Sequence, residues 1–79
     1  RMAKIPGQHR LTIAHKNMPN IIGPITNAIA KAEINIVDML NKSLNEAAYT
    51  LIDIEAKLPQ LIIDEITGID GVLNVRCLK

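Results

Sequence analysis

Leu11 and Ile13 alternate with Thr12 and Ala14 over residues 10–15, and a period of two predicts a strand. Pro19-Asn20 breaks that alternation. Beyond it Ile21, Ile25, Ala28, Ile29 and Ala32 recur on one face at helical spacing. Pro24 is tolerated near a first turn, whose backbone donors lack partners, so the helix is expected to begin close to Ile22 or Gly23. Residues 34–41 return to strand spacing, with Ile34, Ile36 and Leu40 opposing Asn35, Val37 and Met39. Residues 43–46 supply polar turn residues (Ser43, Asn45, Glu46), and 48–55 predict a third strand. Pro59 suits the first turn of a second helix carrying Leu58, Ile62, Ile66 and Ile69, with Gly68 and Gly71 bracketing its end. Residues 72–78 predict a fourth strand with Leu73, Val75 and Cys77 on one side.

The order is β-α-β-β-α-β. Two aliphatic helix stripes can cover one face of a four-stranded antiparallel sheet, an α+β ferredoxin-like arrangement. In that topology the second strand lies at an edge. Its apolar side chains (Ile36, Val37, Met39, Leu40) invite pairing with another chain, so a homodimer through strand 34–41 is expected. Residues 1–9 contain Pro6-Gly7 and no periodicity, which reads as a linker or leader ahead of a domain at 10–79. Arg1 before Met2 is an unusual start and suggests a cloning scar or an internal cut.

Seventy-nine residues make one domain at most, and a chain this short buries only about 60% of its unfolded surface. A second copy on the edge strand would relieve that shortage. The apolar residues are almost all aliphatic, with one Tyr and neither Phe nor Trp. RNA-recognition modules share this element order but stack bases on aromatics of their central strands. Here the first strand has none and the third only Tyr49, and the net charge is +1, so nucleic-acid binding is rejected. No apolar run nears the ~18 residues of a membrane span. The single Cys77 permits no intrachain disulfide, fits a reducing cytoplasm, and is expected to be a small buried hydrophobe.

Nothing pairs a nucleophile with a base, and no Gly-rich phosphate cradle is present, so the chain is not expected to catalyse a reaction. Asp53 and Glu55 are expected to be solvated on an open sheet face. His9 and His15 lack a third convergent ligand, so metal binding is not expected. The junction of the first strand and first helix is different, because unpaired amides and the helix dipole there favour an anion. His15 and Asn17 both project from this junction, and a side-chain amide offers donor and acceptor together. That suits a zwitterionic amino acid or a hydroxyl. If two chains pair along the edge strand, Asn35 of one comes near His15 and Asn17 of the other.

The stretch His15-Lys16-Asn17-Met18-Pro19, Asn35-Ile36 and Ala48-Tyr49-Thr50-Leu51-Ile52-Asp53-Ile54-Glu55 together resemble the amino-acid-binding regulatory (ACT) domain at the C-terminus of D-3-phosphoglycerate dehydrogenases. The resemblance covers residues 10–78. It implies edge-to-edge dimers and an L-serine site made by His15 and Asn17 of one chain with Asn35 of its neighbour. It also implies feedback inhibition of an attached NAD-dependent enzyme of serine biosynthesis, with NAD bound upstream and no cofactor in this segment. The family usually has Gly directly after the Pro of this loop. Here Asn20 stands there, so Pro19 and Asn20 shape the loop with a bulkier residue. Another small amino acid as ligand, or a purely structural dimerisation module, are the alternatives.

Overall fold

The computed structural model describes residues 9–78. Strand β1 (His9–Lys16) leads to helix α1 (Ile22–Lys31), the hairpin β2 (Ile36–Leu44) and β3 (Ala47–Ile54), helix α2 (Gln60–Thr67) and strand β4 (Val72–Leu78). The sheet order is β2-β3-β1-β4 with every neighbouring pair antiparallel. This is the ferredoxin-like arrangement expected from the apolar periodicities, with β2 at one edge. The leader expected over 1–9 lies outside the described residues, except His9, which opens β1.

The two periodicities meet in one aliphatic core. Leu11 and Ile13 of β1 and Ile52 and Ile54 of β3 line the inner sheet face, against Ile25, Ala28 and Ile29 of α1 and Ile66 of α2. Each fully buried Ile or Leu contributes roughly 1.5–3 kcal/mol. Pro24 is the third residue of α1, where its missing N–H removes no intrahelical bond. Pro59 caps α2 from an extended conformation.

The edge strand differs from its expected bounds. Glu33 adopts left-handed backbone (φ 57°), and its N–H donates to the Ala30 carbonyl at 2.9 Å. This turn leaves Ile34 and Asn35 ahead of β2. At the other end Lys42, Ser43 and Leu44 pair with Tyr49, Ala48 and Ala47, because an edge strand accepts polar side chains freely. The hairpin loop shrinks to Asn45-Glu46, with Asn45 at φ 59°. Ile36, Val37 and Met39 are exposed along this edge.

Three side chains depart from their expected places. The β1–β4 register shifts between Ala14↔Asn74 and His15↔Val72. The bulge puts Val72 opposite His15 and leaves Leu73 60% exposed, breaking the predicted Leu73–Val75–Cys77 side. Cys77 is not buried; it is exposed on the outer strand β4. Partial burial still pushes its thiol above the usual range, with Lys57 opposing. Asp53, expected to be solvated, is 2% exposed. It sits directly opposite Arg10 and accepts two bonds from the guanidinium, 2.7 Å from Nε and 2.9 Å from Nη2. That pairing raises the Arg10 pKa, with the Asp53 hydrogen bond as the first cause. Glu55 is exposed.

Candidate functional site

The β1–α1 loop is held from both sides by backbone bonds. Lys16 N–H donates to the Gly71 carbonyl at 2.8 Å, and Asn17 N–H to the Glu46 carbonyl at 2.8 Å. Met18 N–H turns back to the Lys16 carbonyl at 3.0 Å, and the Met18 side chain packs on the core. Gly71 makes this possible. It has φ 97°, and a Cβ there would lie 2.6 Å from Met18 Sδ and 2.9 Å from Ile21 Cδ1. Asn20 is in left-handed backbone, φ 63°, the conformation a Gly after the Pro would supply. Asn is among the few residues that tolerate it.

Beside this loop lies an open depression lined by Lys16, Asn17, Met18, Asn45, Glu46 and Ala47. Asn17 Nδ2 donates to the Asn45 carbonyl at 3.1 Å, tying the loop to the β2–β3 hairpin and leaving the amide oxygen as an acceptor. The lining residues thus include a lysine, a glutamate and two asparagines on well-anchored backbone. Such a set can complement a small zwitterion.

His15 is placed differently from Asn17. It is 4% exposed and shares its sheet face with Ala48 and Thr50. Its Nδ1 lies 2.9 Å from the Lys16 carbonyl and its Nε2 2.8 Å from Thr50 Oγ1. Thr50 Oγ1 is in turn 2.8 Å from Asn41 Oδ1 on β2. Both ring nitrogens are engaged within the chain, so His15 braces the loop through the Lys16 carbonyl. Asn35 is exposed and its carbonyl accepts from Glu55 N–H at 3.3 Å. It lies at the end of the sheet where Ile36, Ile54 and His9 align. Asn17 is at the opposite end, roughly 24 Å away at about 3.4 Å per strand residue. One chain therefore brings His15, Asn17, Pro19 and Asn20 to one loop, and Asn35 to the far end.

Sequence reading gave Met18, Thr50 and Asn41 no role, and took Gly71 only as a mark of the second helix's end. Thr50 carried a signal: it interrupts the apolar set Ala48, Ile52 and Ile54 on the buried face of β3. A buried hydroxyl needs a partner, which points to another polar residue on the same face. Among the described residues no group of three His, Cys, Asp or Glu could hold a metal ion, and no helix is long and apolar enough to cross a membrane.

No family model matches the sequence, and no curated protein does. Solved structures do match. The ACT domain from GTP pyrophosphokinase of Chlorobium tepidum superposes with a TM-score of 0.74 at 19% identity, covering 90% of this chain and 96% of that one. A homoserine dehydrogenase from Thiobacillus denitrificans gives 0.76 at 21% identity, over 91% of this chain and 17% of the dehydrogenase. The C-terminal domain of the MgtC protein from Mycobacterium tuberculosis gives 0.73 at 9% identity, over 96% and 92%. At these identities the likeness lies in the fold: this chain has the βαββαβ, ferredoxin-like ACT fold.

Proposed function

We propose that this chain is a small-molecule-binding regulatory domain that takes L-serine between two copies, in feedback control of an attached NAD-dependent D-3-phosphoglycerate dehydrogenase. One observation carries the reading. The open edge β2 has Asn35 at one end and the Asn45-Glu46 hairpin, bonded to Asn17, at the other. Two-fold antiparallel pairing of β2 about Leu40 would set Asn35 of one chain opposite Asn45 of the other, beside the depression that Asn17 lines. Lys16 then faces the ligand carboxylate, Glu46 its ammonium, and the two Asn amides its hydroxyl. Serine bridging two chains favours one relative orientation, and regulation follows from its different affinity for the two orientations.

A second reading, a dimerisation module of the same fold, is favoured by the internal engagement of both His15 nitrogens. Thermal unfolding with L-serine, glycine, alanine, threonine and aspartate separates the two. Ligand at a hundred times its Kd adds about 2.7 kcal/mol per site. A serine-selective rise in Tm, absent in Asn35→Ala, is the expected result. A dimer whose Tm ignores every amino acid would leave the structural module.

A further inference from the structure

The chain Lys16 carbonyl, His15, Thr50, Asn41 crosses three strands on the helix-bearing face, and hydrogen-bond bookkeeping fixes its direction. A carbonyl oxygen only accepts, so Nδ1 of His15 must carry a proton towards Lys16. Two arrangements then satisfy every contact. With His15 neutral, Nε2 has only a lone pair, and the single Thr50 hydroxyl proton must point to it. Thr50 Oγ1 is left as acceptor, and Asn41 must turn its NH2 towards it. With His15 protonated, Nε2–H donates to Thr50, the Thr50 hydroxyl donates to the Asn41 carbonyl oxygen, and the NH2 of Asn41 faces outward. Thr50 Oγ1 and the Asn41 side-chain amide are 2.8 Å apart, within hydrogen-bond reach in either arrangement.

We infer that Thr50 and Asn41 are positioning residues for His15, and that proton uptake by His15 reverses this chain and turns over the Asn41 amide on the edge strand. The geometry isolates the pair of states. The residues sharing the His15 face on adjoining strands are Ala48 and Thr50 of β3, Val72 of β4 and Asn41 and Ser43 of β2, none of them ionisable. The buried face of α1 is Ile25, Ala28 and Ile29, and that of α2 is Ile66. On the loop, Lys16 is exposed and pairs with Ala47, whereas His15 pairs with Ala48, so the Lys16 side chain leaves the sheet on the opposite face. Asn41 is exposed, so the edge offers a neighbour an amide donor when His15 is charged and a carbonyl acceptor when it is neutral. A dimer or ligand contact made there becomes proton-linked. That consequence rests on the proposed pairing through β2, whereas the reversal itself does not.

NMR titration of the ligand-free protein tests the reversal independently of any serine site. The His15 ring nitrogens and the Asn41 side-chain amide are followed with pH in the wild type, Thr50→Ser and Thr50→Val. The expected result is that the Asn41 amide signals move with the His15 midpoint in the wild type and in Thr50→Ser. In Thr50→Val they should no longer follow His15. Asn41 signals indifferent to His15 in the wild type would overturn the inference, as would coupling that survives Thr50→Val. If Thr50→Val fails to fold, the wild type and Thr50→Ser still decide it.

Discussion

Asn20 and Glu33 both hold left-handed backbone, at φ 63° and 57°, yet only one is suited to it. Asn tolerates this region, whereas Glu33, directly after the C-cap Ala32 of α1, occupies a position that favours Gly. Glu33→Gly should therefore stabilise the domain by about 1 kcal/mol in urea unfolding. Asn20→Gly should change little, and Asn20→Val should cost about 1–2 kcal/mol. Equal losses for Gly and Val at residue 20 would show that its side chain, not its backbone, matters. Cys77 gives a pH prediction. Burial disfavours the thiolate, so the folded thiol titrates above its unfolded counterpart. The resulting stabilisation is complete below the unfolded pKa and fades as pH rises through the folded one. Stability should fall in the alkaline range, and Cys77→Ser should remove that part of the decline. Alkylation at mildly alkaline pH should be slower than for a free thiol, despite the exposure of the residue.

At the scale of elements, the loop that carries the candidate site owes its shape to a residue on another element. Gly71 precedes β4, accepts the Lys16 amide and lies where any Cβ would strike Met18 and Ile21. Gly71→Ala combines left-handed strain with overpacking and should cost about 2–4 kcal/mol. Its effect should reach beyond stability: amide shifts of residues 16–21 should move, and any amino-acid response should weaken. Shifts confined to the α2–β4 turn would refute this support role. The strands, helices and edge of the sheet were legible because each follows from local apolar period and punctuation. The bulge at Leu73 and the contact between Gly71 and Met18 were not, since both depend on where β4 pairs with β1 in space. The burial of Asp53 was hidden for the same reason. Alternation placed it on the open face, and only the register shows Arg10 directly opposite. Among the site residues, Asn17 at the loop could be read from the junction of strand and helix. The inward turn of His15 could not, because it depends on Thr50, thirty-five residues away in sequence.

At the scale of the whole molecule, the proposed site is incomplete in any one chain, and that makes a decisive prediction. Asn17 and Asn35 lie at opposite ends of the sheet, so a ligand touching both must touch two copies. In a two-fold dimer each site takes Asn17 from one protomer and Asn35 from the other. Asn17→Ala and Asn35→Ala should each abolish the serine-dependent rise in Tm, since every site in either homodimer lacks one amide. Mixed after unfolding and refolded together, the two variants form heterodimers in which one site is intact and the other lacks both amides. With random pairing half the dimers are mixed, so about a quarter of all sites should recover serine binding by calorimetry. No recovery, in a mixture shown by native mass spectrometry to contain heterodimers, would refute a site shared by Asn17 of one copy and Asn35 of the other. Full recovery is excluded by the stoichiometry, so binding near one site per four protomers is the signature of a ligand held across the β2 edge. Met39→Lys on that edge provides the complement: by sedimentation it should shift the protein towards monomer, with serine binding lost in parallel.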